Sequence, residues 1–281
     1  MKVLITGIQG QLGFDVAKVL GARKVEYYAP ALEELDITDR QMVLKMLEDY
    51  YPDAVIHCAA YTAVDRAEEE PEKCWAVNVD GTRNIAEGCK KIGAKMLYIS
   101  TDYVFEGTGE QFYKETDPVN PQNVYGASKL AGELVLKSFL EKYFIVRTSW
   151  AFGENGNNFV KTMLRLAETK TEVSVVCDQI GSPTYTGDLA PLLCDIVETE
   201  EYGTYHATNE GVCAWAEFAK EIFRLAGKKV TVRPITSEEH PAKAKRPKNS
   251  RLDKQKVIKT GFMKLPDWKE ALERYFGQIC L

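Results

Sequence analysis

Tyr125 and Lys129 stand four residues apart in the run Tyr125-Gly126-Ala127-Ser128-Lys129, and apolar residues continue at helical spacing through Leu130, Leu134, Val135 and Phe139. The pattern predicts a helix over 125–136 that starts from Asn120 and Pro121, so a phenol and an ammonium share one face. A phenol titrates near pH 10, about three units too high to trade protons easily at neutral pH, and a neighbouring cation lowers that value. Taken alone, a solvated helix carrying the pair by chance is the better reading. The elements that would position the pair decide between the two.

Those elements begin with Lys2 to Thr6 (KVLIT), a β-type run leading into Gly7-Ile8-Gln9-Gly10-Gln11-Leu12-Gly13 and then apolar residues at helical spacing. Strand, glycine turn and helix in that order let a pyrophosphate approach the backbone, beside a helix N-terminus whose free N–H groups carry partial positive charge. Val25 to Tyr28 reads as a second strand. It runs into Ala29-Pro30, where neither an acid for a ribose 2′-hydroxyl nor an arginine for a 2′-phosphate stands. NADH and NADPH are left equal by this reading. Asp36 is a candidate for an adenine edge, and Asp39 reads as the cap of a helix over 40–50.

Ala54 to Cys58 forms a buried strand that ends in the small residues Ala59 and Ala60, then Tyr61, where a ligand can lie along the backbone. His57 within it reads as a core histidine. Glu72 to Ile92 reads as one long helix carrying Asn78, and Met96 to Ile99 as the next strand, followed by Thr101, Asp102 and Tyr103. Open parallel sheets bind ligands at strand C-termini, which brings the Thr101 hydroxyl to the crevice of Tyr125. After a strand over 143–147 come Thr148, Ser149 and Trp150. A basic, proline-broken stretch, Glu238 to Ser250, holds Lys243, Lys245, Arg246 and Lys248, and its guanidinium suits a phosphate.

Strand and helix alternate up to about residue 150, which argues an α/β protein with a Rossmann-like doubly wound parallel sheet. Beyond it the rhythm changes, and a second, smaller α/β substrate domain is expected. The division is 1–152 plus about 184–208 for the dinucleotide and about 153–183 plus 209–281 for the substrate. The chain of 281 residues has a net charge of −5 with both signs interspersed, so no basic field favours nucleic acid or a membrane surface. Its seven cysteines (Cys58, Cys74, Cys89, Cys177, Cys194, Cys213 and Cys280) show no CxxC spacing and read as reduced core residues of a cytoplasmic protein. Neither a leader pattern nor an apolar run of the roughly 20 residues needed to span a bilayer is seen.

With the glycine turn, Thr101 and Tyr125-x-x-x-Lys129 in place, the sequence resembles the extended short-chain dehydrogenase/reductases. It is similar above all to the branch that completes dTDP-L-rhamnose synthesis, through GIQGQLG, AAYTAVDRAE, STDYVF, NVYGASKLAGE, RTSW, NNFVKTMLRLA, DQIGSPT and RPKNSRL. The resemblance implies reduction of the C4 keto group of dTDP-4-dehydrorhamnose by NADPH or NADH, with Tyr125 as acid, Lys129 as its partner and a holder of the nicotinamide ribose, Thr101 as the third member, and Tyr125 and Lys129 both counted among the cofactor-binding residues. It puts Gly7, Gly10, Gln11, Leu12 and Gly13 under the pyrophosphate, Asp36 and Ile37 by the adenine, and Ala59, Ala60 and Tyr61 along the dinucleotide. Val64, Asp65, Asp102, Tyr103 and Trp150 match the sugar pocket, and Gln179, Arg246, Asn249 and Arg251 are assigned to the dTDP half. No metal ligands are matched, and monomer and homodimer are both open. A related epimerase or dehydratase, which regenerates its cofactor within each cycle, is the alternative enzyme. A non-catalytic regulatory subunit, like the β subunit of methionine adenosyltransferase, is the alternative of another class.

Overall fold

A computed structural model describes residues 1–279. The first half builds β1 (Lys2–Thr6), α1 (Gln11–Ala22), β2 (Glu26–Tyr28), α2 (Arg40–Tyr50), β3 (Ala54–His57), α3 (Val64–Ala67), α4 (Pro71–Trp75), α5 (Thr82–Ile92), β4 (Lys95–Thr101), α6 (Val124–Phe139) and β5 (Tyr143–Thr148). β10 (Gly203–His206) later joins these strands in one parallel sheet of order β10-β5-β4-β3-β1-β2. The strand order reverses beside β1, so the turns leaving β1 and β3 flank one crevice at the carboxyl edge. β3 is buried along its whole length, His57 included, as the apolar run Ala54 to Ile56 suggests for a strand covered on both faces. One core packs α1 and α8 (Thr186–Glu198) against the sheet through residues such as Val16, Leu20, Leu189 and Leu193. On the opposite face Val43, Leu47, Ile85, Ala86 and Leu136 bring in α2, α5 and α6.

After Thr148 the chain leaves this sheet. β6 (Ala151–Phe152), α7 (Phe159–Leu166), β7 (Glu172–Val176), β8 (Ile180–Gly181) and β9 (Thr184–Tyr185) lead back into α8 and β10. β11 (Cys213–Ala214), α9 (Trp215–Leu225), β12 (Thr231–Ile235), β13 (Asn249–Ser250), α10 (Gln255–Lys259) and α11 (Trp268–Ile279) complete the chain. α7, α9 and α11 enclose a separate core with Phe152, Phe218, Trp268 and Tyr275.

Several elements differ from expectation. The long helix over 72–92 is interrupted by a π-helical segment, Ala76–Gly81, which carries Asn78. α6 begins from Asn123, whose side chain accepts from Gly126 N at 2.7 Å, while Asn120 bonds through its backbone to Val104. Pro121 lies outside the helix because the free acceptor nearest the first turn belongs to Asn123. Asp39 caps α2 as expected, through Gln41 N and Met42 N. β12 contains Pro234, which reads against a strand, yet it survives as an edge paired only with β7. Cys177 is exposed and so is not a core thiol, Cys58 is half-buried and packs against the core of α1 and α8, and Cys280 lies outside the described residues. Among the described residues no helix is long and apolar enough to cross a membrane.

Candidate active site

The glycine turn is built by close approach. Gly7 adopts φ +76°, and a Cβ there would lie 2.6 Å from Ala59 N; one on Gly13 would lie 2.3 Å from Gly7 O. Only hydrogen fits at both places, which brings the turn against the end of β3. α1 then starts at Gly10 without a side-chain cap, leaving its first N–H groups free. A cavity of about 310 Å³ opens there, lined by Gly7 to Gly10, Pro30, Asp36, Ile37 and Ala59 to Tyr61. A cradle that any Cβ would fill, beside an uncapped helix N-terminus, fits the pyrophosphate of a dinucleotide. Gln11 and Leu12 open α1, Gln11 Oε1 accepting from Asn158 Nδ2 at 3.0 Å.

The walls of that cavity are held from behind. Thr6 Oγ1 bonds His57 Nδ1 at 2.7 Å and accepts from Ala59 N, while His57 Nε2 meets Thr82 Oγ1. Burial drives the His57 pKa down to about 3, so it is a neutral core brace. Asn78 accepts from Tyr61 N at 2.8 Å and donates to Tyr61 O and to Ser128 Oγ on α6. The π-helical wind therefore couples the cofactor wall to the helix of Tyr125 and Lys129. Asp36 Oδ1 accepts from Thr38 N and Oγ1, which fixes the side chain where the residue lines the cavity.

Tyr125 and Lys129 lie on α6 as the spacing requires. Gly126 and Gly132 let this helix press on its neighbours: Cβ atoms there would come within 2.3 Å of Tyr103 O and Tyr98 Oη respectively. The Thr101 hydroxyl favours ionisation of the Tyr125 phenol, and the Tyr125 ring meets Tyr103 edge-on with centroids 5.5 Å apart. Thr101 Oγ1 also donates to Asp102 Oδ1 at 3.0 Å. Burial holds the Asp102 carboxyl up at about 6, against the pull of the Ser250 and Thr101 hydroxyls. The Tyr125 pKa is raised, by burial first, and the Lys129 amine is pushed down to about 7 by burial, its Nζ lying 4.0 Å above the Tyr98 ring. This reverses the expected direction for the phenol: desolvation dominates and keeps it protonated.

A larger cavity, about 1160 Å³, adjoins Tyr103 and is lined by Asp65, Gln179, Arg246, Lys243, Lys245 and Lys248 among others. Arg246 spans Asp65 with both guanidinium nitrogens, at 2.9 and 2.6 Å, and Gln179 Nε2 donates to Ser237 Oγ. Val64 opens α3 next to Asp65. Trp150 takes a left-handed φ of 49° and stacks on Trp215 at 3.7 Å. Asn249 and Arg251 do not line this cavity: Asn249 is buried on the Gln111 carbonyl, and the Arg251 guanidinium donates to Asn249 Oδ1. The sequence reading missed Phe159, Met163 and Trp215 on the cavity wall, because an amphipathic helix gives no sign of which residue of its apolar face borders a cavity.

A doubly wound parallel sheet with a glycine cradle, and a Thr/Tyr/Lys set over its carboxyl edge, defines the extended short-chain dehydrogenase/reductase class. The family model described as the RmlD substrate binding domain matches residues 1–280. A dTDP-4-dehydrorhamnose reductase of Aggregatibacter actinomycetemcomitans is 45% identical over 97% of each chain. Crystal structures of dTDP-4-dehydrorhamnose reductases from Bacillus anthracis, in complex with NADP, and from Clostridium acetobutylicum superpose with TM-scores of 0.96 and 0.98. They are 47% and 44% identical and cover at least 99% of each chain. The chain belongs to the dTDP-4-dehydrorhamnose reductase family.

Proposed function

We propose that this protein reduces the C4 keto group of dTDP-4-dehydro-L-rhamnose to dTDP-L-rhamnose, in dTDP-rhamnose biosynthesis, with NADPH or NADH. The observation that carries the chemistry is the convergence of Tyr125 on α6 with the Thr101 hydroxyl at the carboxyl end of β4, between residues of two cavities. Tyr125 abuts Tyr103 of the larger one, and Lys129 interacts with Cys58 of the smaller.

The glycine turn, Asp36, Ile37, and Ala59 to Tyr61 would hold the dinucleotide, which supplies a hydride when bound. Tyr125, kept protonated by burial, donates its proton to the oxygen of the substrate as alkoxide charge develops there. Thr101 hydrogen-bonds that oxygen, an interaction that strengthens towards the transition state. Lys129, with an amine near neutrality, is suited to hand a proton back to Tyr125. Val64, Asp65, Asp102, Tyr103 and Trp150 would surround the sugar. Arg246, with Gln179 beside it, would meet the diphosphate half once Asp65 yields it. We assign 1–152 with about 184–208 to the dinucleotide and the remainder to the sugar nucleotide.

The test is the reduced-nicotinamide absorbance with purified protein and dTDP-4-dehydrorhamnose. Loss of one equivalent per sugar is expected, whereas an epimerase or dehydratase would regenerate the cofactor and leave the absorbance unchanged. Tyr125→Phe is expected to lower kcat by roughly 10²- to 10⁴-fold while still binding NADPH. Undiminished turnover would remove Tyr125 from the mechanism.

A further inference from the structure

Beneath the catalytic helix lies a buried ion pair to which the scheme above gives no part. Glu133 is fully buried and Arg147 is 3% exposed. Arg147 Nε and Nη2 donate to Glu133 Oε1 and Oε2 at 2.8 and 2.7 Å, and Ser100 Oγ donates to Oε1 at 2.6 Å. Helix α6 is thus pinned to β4 one residue before Thr101, and to β5 one residue before Thr148. Stability alone is a poor reason for this arrangement, since well-packed apolar residues commonly replace a buried pair without loss.

The position of the carboxylate supplies a better one. Glu133 follows Lys129 by four residues, one helical turn further along the same face. The Lys129 amine is also faced by the Tyr98 ring from β4, by His57 and Cys58 at the end of β3, by Cys74 from α4, and by Tyr125 one turn back on α6. Burial leaves His57 neutral and raises the thiols of Cys58, to about 12, and of Cys74. Glu133 is the carboxylate that acts on Lys129 in this low-dielectric setting, and it opposes the burial that disfavours the ammonium.

We infer that Glu133 is a positioning residue for the reduction: its fixed negative charge keeps Lys129 protonated, and Ser100 and Arg147 hold that charge in register with Thr101. The inference rests on the reductase reading for its catalytic meaning. Its test follows Lys129 directly, by ¹³Cε and ¹⁵Nζ NMR of lysine-labelled protein, the resonance being assigned by its loss in Lys129→Met. In Glu133→Gln the Lys129 midpoint is expected to fall by about one pH unit or more. The alkaline limb of kcat/KM should move down with it, a shift that a purely structural role would not produce. Should Glu133→Gln fail to fold, Glu133→Gln/Arg147→Gln exchanges the pair for neutral amides with no charge left unpaired, and a fall in the same direction is expected, smaller because the guanidinium charge leaves with the carboxylate. An unmoved Lys129 midpoint in either folded variant would overturn the inference. Because NMR needs no turnover, a protein that shows the shift but does not reduce the sugar would refute the reductase reading alone.

Discussion

Gly132→Ala is expected to disable the enzyme without touching a group that does chemistry. A Cβ at 132 would lie 2.3 Å from Tyr98 Oη and 2.7 Å from Asn78 O, roughly 1 Å inside ordinary contact. Neither neighbour can swing away. Tyr98 is fully buried between Lys129 and the sheet, and the Asn78 carbonyl accepts from Thr82 Oγ1 at 2.8 Å within the π-helical segment. Helix α6 must therefore move outward by up to about 1 Å, a kind of overpacking that costs about 1–3 kcal/mol. Against this, alanine gains about 1 kcal/mol over glycine inside a helix, so the net loss of stability is about 0–2 kcal/mol. The kinetic effect is larger, because Lys129 lies three residues away on the displaced helix and a misplacement of this size costs on the order of 10²-fold in rate. Urea denaturation and steady-state NADPH oxidation measure the two effects separately. Gly277→Ala in α11 is the control: nothing lies within 4 Å of its Cβ, so it should stabilise by up to about 1 kcal/mol and leave kcat alone. A Gly132→Ala enzyme with wild-type kcat would refute the claim that close helix packing sets the position of Lys129.

Asn78→Ala strips partners from the Tyr61 peptide and Ser128, and is expected to cost about 1–3 kcal/mol and to weaken dinucleotide binding through the loosened Tyr61 wall. A fluorescence titration giving an unchanged NADPH Kd would separate that wall from the site. His57 and His206, both pushed from 6.5 to about 3, by burial first, predict acid sensitivity. The unfolded chain takes up their protons near 6.5 while the folded one refuses them until about 3. Stability is therefore fully present above 6.5 and falls as pH drops through that window, by up to about 1.4 kcal/mol per unit for each histidine. Urea midpoints between pH 6.5 and 5, above most carboxylate titrations, should fall less steeply in His57→Asn. An identical slope would show that His57 accepts a proton without unfolding.

The parallel sheet was legible because its signals are local. β3 opens on the apolar run Ala54 to Ile56, the turn after β1 is marked by glycines, and α2 announces its start with Asp39. Each pattern follows from a backbone requirement that the adjacent residues meet themselves. The interrupted helix around Asn78 was not legible, since no residue within 72–92 demands a π-wind. It arises from partners distant in sequence, Tyr61 and Ser128, which one amide satisfies at once. β12 was hidden by Pro234 for a related reason: a proline forbids a central strand, but an edge strand needs donors on one side only.

The same distinction explains the site. Tyr125 and Lys129 were readable as a pair because the helix repeat alone brings them together, but the balance of forces on them was not. Sequence spacing suggests a phenol eased towards ionisation by an ammonium; the structure buries both, so desolvation raises the phenol and lowers the amine. Other groups act on them as well, the Thr101 hydroxyl from β4 on the phenol and Glu133, one turn further along α6 and bonded by Ser100 and Arg147 from two strands, on the amine. Arg246 makes the point again. Its guanidinium and the Asp65 carboxylate were both assigned to the substrate, and in the structure each is the other's partner. On the proposed assignment an anionic ligand would compete with Asp65 for Arg246, so the affinity of that subsite would be set by an exchange of ion pairs and not by either residue alone.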